Sequence, residues 1–99
     1  MSKIIAFEGL DESGKTTMCK SISKMIKHRD VCADRFTTSL RVYDRFFQRP
    51  DNSDFLSSLE SCLAGQLTVV MIDTTPMRCL ERGAQYTLRE LKLQRRLFF

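Results

Sequence analysis

The sequence predicts an α/β domain built on a parallel sheet, and three observations lead there. Lys3-Ile4-Ile5-Ala6-Phe7-Glu8 is a short, mostly apolar run of the kind a buried parallel strand shows. The glycine-flanked stretch from Gly9 to Thr16 follows it, and Thr17 to His28 then carries Met18, Ile22, Met25 and Ile26 at roughly helical spacing. Far downstream, Leu67 to Ile72 is a second continuous apolar run, rich in β-branched residues and preceded by the turn residue Gly65. Strands separated by helices in this order favour parallel pairing with helices as crossovers.

The elements between follow from local chemistry. Asp30-Val31-Cys32-Ala33-Asp34-Arg35 reads as a short strand with only three apolar residues, ending in an acid–base pair. Thr38 to Gln48 predicts a helix with Val42, Phe46 and Tyr43 inward. Arg49-Pro50-Asp51-Asn52-Ser53 is the clearest loop, because a proline disfavours helix at the residue before it. Asp54 to Ala64 predicts a second helix with Phe55, Leu56, Leu59 and Leu63 as its apolar stripe, stopped by Gly65. Asp73-Thr74-Thr75-Pro76 leads into another helix, with the proline near its first turn. Thr87 to Phe99 alternates leucines and cations at helical spacing and ends on Phe98-Phe99, two aromatics expected to be exposed. The lone His28 is placed at a helix end, where imidazole tolerates the dipole.

Ninety-nine residues hold one domain with one modest core, fewer strands than open nucleotide-binding sheets usually carry. No apolar run approaches the length of a membrane span. Glu8 and Asp11 interrupt the N-terminal apolar stretch, so no signal-peptide pattern is read there. Cys19, Cys32, Cys62 and Cys79 are dispersed singles without metal-ligand spacing, which points to free thiols in a reducing, cytoplasmic compartment. The net charge of +4 resides wholly between Arg78 and Phe99. No aromatic-interleaved platform accompanies those cations, so nucleic acid is not the expected partner.

The segment Gly9-Leu10-Asp11-Glu12-Ser13-Gly14-Lys15-Thr16 fits the phosphate-loop pattern G-x-x-x-x-G-K-[ST], in the strand–loop–helix setting that pattern requires. Gly9 and Gly14 let the backbone curl round anionic oxygens without a Cβ in the way. The amides of residues 11 to 16 and the helix start are expected to face phosphates. Lys15 bridges the β- and γ-phosphates of a nucleotide in such loops, Thr16 offers its hydroxyl to magnesium, and Thr17 reaches the α-phosphate. Glu8, Asp11 and Glu12 bring carboxylates close, which calls for magnesium or an arginine to offset repulsion. The competing reading is a plain strand–helix turn capped by Ser13 or Thr16. Asp34, at a strand's C-terminal end, is placed to orient magnesium, and Arg35 to clamp a second phosphate. A surface ion pair between the two is the alternative.

The order of these blocks resembles the thymidylate kinase (dTMP kinase) family of phosphate-loop nucleoside monophosphate kinases. Phe7-Glu8-Gly9-Leu10-Asp11 through Lys15-Thr16-Thr17 looks like the family's opening. Asp34-Arg35-Phe36-Thr37-Thr38-Ser39 with Val42-Tyr43 resembles its D-R-[YFH] segment, and Leu67 to Asp73, then Pro76 and Arg82, its passage into the lid. Leu93-Gln94-Arg95-Arg96 with Phe98 is a weaker likeness to the helix after the lid. The resemblance implies a P-loop kinase-like three-layer sandwich with a parallel sheet, incomplete in this chain. It implies transfer of the γ-phosphate of ATP to dTMP with magnesium. Lys15 and the loop amides would hold the donor, Asp11 and Arg35 would approach the acceptor side, and Arg82 would neutralise charge in the transition state. Deoxynucleoside kinases share the loop but tend to carry E-R-S where Asp34-Arg35 stands here.

The departures are as specific as the likeness. Family members are much longer. Between the first helix and the D-R segment they carry a strand, an arginine for the acceptor phosphate and a helix whose aromatic stacks on thymine. Here the first helix runs almost directly into Asp34. Asp44 stands where the family usually has glutamine, and Glu12 where some members have an arginine. A second reading is therefore an internally deleted variant that keeps only phosphate binding, or acts by assembling with a fuller subunit. An exposed sheet edge and unpaired helix faces also predict self-association, with a homo-oligomer as one form.

Overall fold

A parallel sheet with no hairpin anywhere in it carries the chain. The computed structural model describes residues 3–26 and 29–99, so His28 and the end of the helix expected before it lie outside the described residues. The elements run β1 (Ile4–Gly9), α1 (Lys15–Ser23), β2 (Val31–Asp34), α2 (Thr37–Phe46), α3 (Ser53–Cys62), β3 (Leu67–Ile72), α4 (Pro76–Glu81) and α5 (Leu88–Phe98). The sheet order is β2-β1-β3, all parallel, with Ile4 opposite both Val31 and Leu67. The domain is therefore α/β, as expected.

The crossovers explain where the helices lie. The chain steps from β1 to β2 in one direction, then back past β1 to β3. Right-handed crossovers in opposite directions put α1 on one face of the sheet and α2 and α3 on the other. α1 packs on β1 and β2, whereas α2 packs on α5 and α3 and touches β1. The core sits on the α2 side, where Leu10, Val42, Cys79, Leu91 and Phe98 pack together against Met71, Tyr43, Ala84, Tyr86 and Leu97. Two helix starts are well built. Thr75 accepts a hydrogen bond from the Arg78 amide (3.3 Å) with Pro76 following, and Thr87 and Glu90 form a reciprocal capping box.

Three expectations need correction. α1 ends at Ser23, short of the expected span, and the apolar spacing read there does not mark a buried face throughout, since Met18 and the following Met25 are 43% and 79% exposed. The Ser23 hydroxyl donates to the Cys19 carbonyl (2.7 Å), the kind of back-bond that competes with helix continuation. On α3, Leu56 is buried but Phe55 is 64% exposed. That helix meets α2 through polar groups instead, with Thr37 Oγ1 and Arg41 Nη2 each donating to Glu60 at 2.6 Å. At the C-terminus only Phe99 stays exposed. Phe98 is buried, edge-on to Tyr43 at 6.1 Å. Among the described residues no helix is long and apolar enough to cross a membrane, and the four cysteines are free.

Candidate functional site

β1 delivers the loop to the C-terminal edge of the sheet, and backbone conformation shapes it. Gly9 has φ +152°, Glu12 +59° and Gly14 +104°, so the chain turns in a way that side chains resist. At Gly9 the turn also presses against β3, since a Cβ there would lie 2.6 Å from the Ile72 carbonyl oxygen. Gly14 is the N-cap of α1 with no side-chain cap, and the first helical bond runs from the Met18 amide to the Gly14 carbonyl (3.0 Å). The amides of Lys15, Thr16 and Thr17 thus lie outside the helical ladder. Neither Ser13 nor Thr16 caps the helix, which removes the plain capped turn as an account of this segment. The Ser13 hydroxyl is buried without a partner, while its carbonyl accepts from Thr74 Oγ1 (2.7 Å) and ties the loop to the strand end of β3.

Lys15 is buried and folds back on the loop, its Nζ donating to the Leu10 carbonyl at 2.7 Å. Burial lowers its pKa, and the charge of Arg35 lowers it further, against the pull of Asp34 and Asp11. Two cations share this partly dehydrated space with the carboxylates of Asp11, Glu12 and Asp34. An anion entering there would restore the lysine's preference for its proton.

Thr16 Oγ1 donates to Asp34 Oδ2, which joins the start of α1 to the end of β2. Both residues are exposed at the cradle mouth and present oxygen atoms, the donor chemistry a hard divalent cation selects. Among the described residues no group of three or more His, Cys, Asp or Glu is placed to hold a metal ion, so a magnesium ion there would draw its other ligands from water and phosphate.

Arg35 forms no ion pair with Asp34. It sits at φ +80°, a strained setting for a non-glycine residue. Its Nη1 donates to the Gly9 carbonyl (3.3 Å) and Ser39 Oγ (3.1 Å), and its guanidinium lies 5.0 Å over the Tyr43 ring. Asp11 Oδ2 accepts from the Gln85 amide (3.0 Å).

Glu8, expected near the phosphates, points elsewhere. It is fully buried and accepts from the Ser39 amide (2.9 Å) and hydroxyl (2.5 Å), anchoring α2 to β1. Asp73 likewise turns to α5, where Arg95 binds it through two nitrogens at 3.0 and 2.9 Å.

Three neighbouring cavities follow from this framework. A cradle of about 220 Å³ is lined by Asp11 to Thr17 with Asp34 and Arg35. A larger cleft of about 580 Å³ adjoins it, with Arg35, Arg49, Gln85 and the rings of Phe36, Tyr43, Phe47 and Tyr86 in its walls. Asp11 and Arg35 line both. Arg82 is brought to the loop beside Gly14, but in a third cavity with Glu12, Thr17 and Thr74 rather than in the cradle. The residues that sequence reasoning missed are Phe47, Arg49, Gln85 and Tyr86. The last two reach the cleft only because the turn between α4 and α5 returns to Asp11, a contact that no local pattern encodes.

Comparison with known proteins adds no relative. No family model matches the sequence, and no curated protein or solved structure matches it at a significant level.

Proposed function

We propose that this chain binds ATP through the Gly9–Thr16 loop, in a P-loop-type fold, and transfers its γ-phosphate to a nucleoside monophosphate of the dTMP class. The observation that carries the reading is the pair of adjoining cavities that share Asp11 and Arg35. One is small and glycine-edged, with Lys15, Arg35 and the free amides at the start of α1 as donors for phosphates, and with Asp11, Glu12 and Asp34 as carboxylates that call for magnesium beside them. The other is aromatic with two arginines, suited to a planar base carrying an anion. Phosphoryl transfer needs two such sites meeting at a point where charge is neutralised.

In this reading Lys15 leaves the Leu10 carbonyl for the donor's phosphates, and the first-turn amides of α1 hold their oxygens. Thr16 and Asp34 would hold magnesium, which supplies charge neutralisation on the transferring group. Arg35 holds the acceptor phosphate at the boundary, oriented by Ser39 and the Gly9 carbonyl. Asp11 stands opposite the transferred group, and Arg82 lies within reach of the loop from outside the cradle. Phe47 with Arg49 stacked over it at 4.9 Å offers a base platform from α2 and its C-terminal loop. That platform would stand in for the aromatic helix that the resembled family carries and this chain lacks. The work is positioning and electrostatics.

The test is an ATP-to-dTMP phosphotransfer assay on purified protein, with Lys15→Ala as control. Formation of dTDP that disappears in the variant supports the proposal. ATP binding without dTDP favours a chain that keeps only the phosphate cradle, and absence of both rejects the reading.

A further inference from the structure

The Thr16–Asp34 hydrogen bond fixes the register of α1 on β2, and that register brings two thiols together. α1 runs antiparallel to the strands, because it must return the chain from the end of β1 to the start of β2. Moving away from the loop, Thr16 to Cys19 advances about 4.5 Å along the helix. Asp34 to Cys32 retreats about 6.6 Å along the same side of the strand. Cys19 therefore faces Cys32 across the seam between α1 and β2, one step below the Thr16–Asp34 contact. Both are half-buried, between the exposed Cys62 and the fully buried Cys79.

We propose that Cys19 and Cys32 form an oxidisable dithiol, closed to a disulfide by a peroxide-class oxidant, that clamps α1 to β2. One sulfur attacks the peroxide, the O–O bond breaks, and water leaves with a sulfenic acid on that cysteine. The second sulfur attacks the sulfenic sulfur, the S–S bond forms, and a second water departs. Each thiol gives up its proton, the pair gives up two electrons, and the peroxide is reduced to two waters. Closure requires the sulfurs to approach to about 2.05 Å, by side-chain rotation or a small shift of α1 on the sheet. α1 can shift as the bond forms, since among the described residues β1 and β2 are the elements it packs on.

The experiment oxidises the reduced full chain with hydrogen peroxide, counts free thiols, and maps the linked peptides by mass spectrometry under non-reducing conditions. Titratable thiols should fall from four to two in a monomer, with the Cys19 and Cys32 peptides joined and both thiols recovered on reduction. Cys62→Ser should behave like wild type, whereas Cys19→Ser and Cys32→Ser should lose the intramolecular link. Cys19→Ala and Cys32→Ala repeat the measurement if the serine variants fold poorly, and the wild-type map needs no variant. Disulfide-linked dimers through Cys62 with Cys19 and Cys32 still free would overturn the proposal. So would loss of each thiol at the same rate whether or not the other is present.

Discussion

Replacing Gly9 by alanine tests the close approach of the loop to β3. The substitution forces a side chain into φ +152°, a conformation that costs about 1–3 kcal/mol for a non-glycine residue. It also sets a Cβ 2.6 Å from the Ile72 carbonyl oxygen and 3.0 Å from Ser13 Oγ. Ile72 is the last residue of the β3 ladder, paired with Gly9 itself, so its carbonyl cannot swing aside without opening the sheet. Overpacking of this kind adds roughly 1–3 kcal/mol. The sum, about 2–6 kcal/mol, is a large share of the 5–15 kcal/mol that holds a small domain together. Gly65→Ala is the control, because Gly65 has φ +83° with nothing within 4 Å of the added methyl group. It should cost only the backbone term, about 1–2 kcal/mol. Urea unfolding of both variants beside wild type measures the difference, with unchanged m-values as the condition for comparison. Equal destabilisation by the two substitutions would refute the steric argument.

Further outcomes follow from buried polar groups. Gln94 is fully buried and neither amide atom has a hydrogen-bond partner, so Gln94→Met should stabilise the fold by about 1–3 kcal/mol in the same unfolding assay. Glu8→Gln should destabilise by about 1–3 kcal/mol, because one amide oxygen must replace two carboxylate oxygens that accept separately from Ser39. Lys15 carries a pH signature. Its folded pKa lies below the ordinary 10.5, so between that lowered value and 10.5 the unfolded chain binds more protons and stability rises with pH. The stability advantage of Lys15→Met over wild type should therefore shrink as pH climbs through that window. An advantage that is flat or growing with pH would contradict the assigned cause.

Legibility in the sequence tracked how local the determining physics is. β3 matches the expected Leu67 to Ile72 run, because its signal is a continuous apolar stretch bounded by turn residues. The helix starts were readable where a side chain makes them, as at Pro76 and Thr87. The inward faces of α1 and α3 were not. Periodicity marks an apolar side but cannot say whether anything packs on it, and Phe55 and Met25 face solvent. The cradle was legible because one contiguous segment builds it. Glu8 was misplaced because strand alternation decides which side of β1 it faces, and the hydrogen bonds from Ser39 that settle the matter come from a distant helix. The aromatic cleft was invisible for the same reason, since its walls come from three separated stretches.

The middle position of β1 sets the order in which the molecule can assemble. β1 is the earliest strand in the chain, yet its two neighbours enter at Val31 and Leu67, and no strand pairs with an adjacent one through a short turn. The β1–α1–β2 unit closes the shorter segment, so its loop-closure cost is the smaller of the two. The loop and its Thr16–Asp34 tie can therefore form while β3 is still absent. The second side of β1 stays open until the C-terminal half arrives with Ile72 and the core residues of α4 and α5. During synthesis, an unpaired apolar strand edge thus outlasts the formation of the cradle, and any holding factor would have to act in that interval.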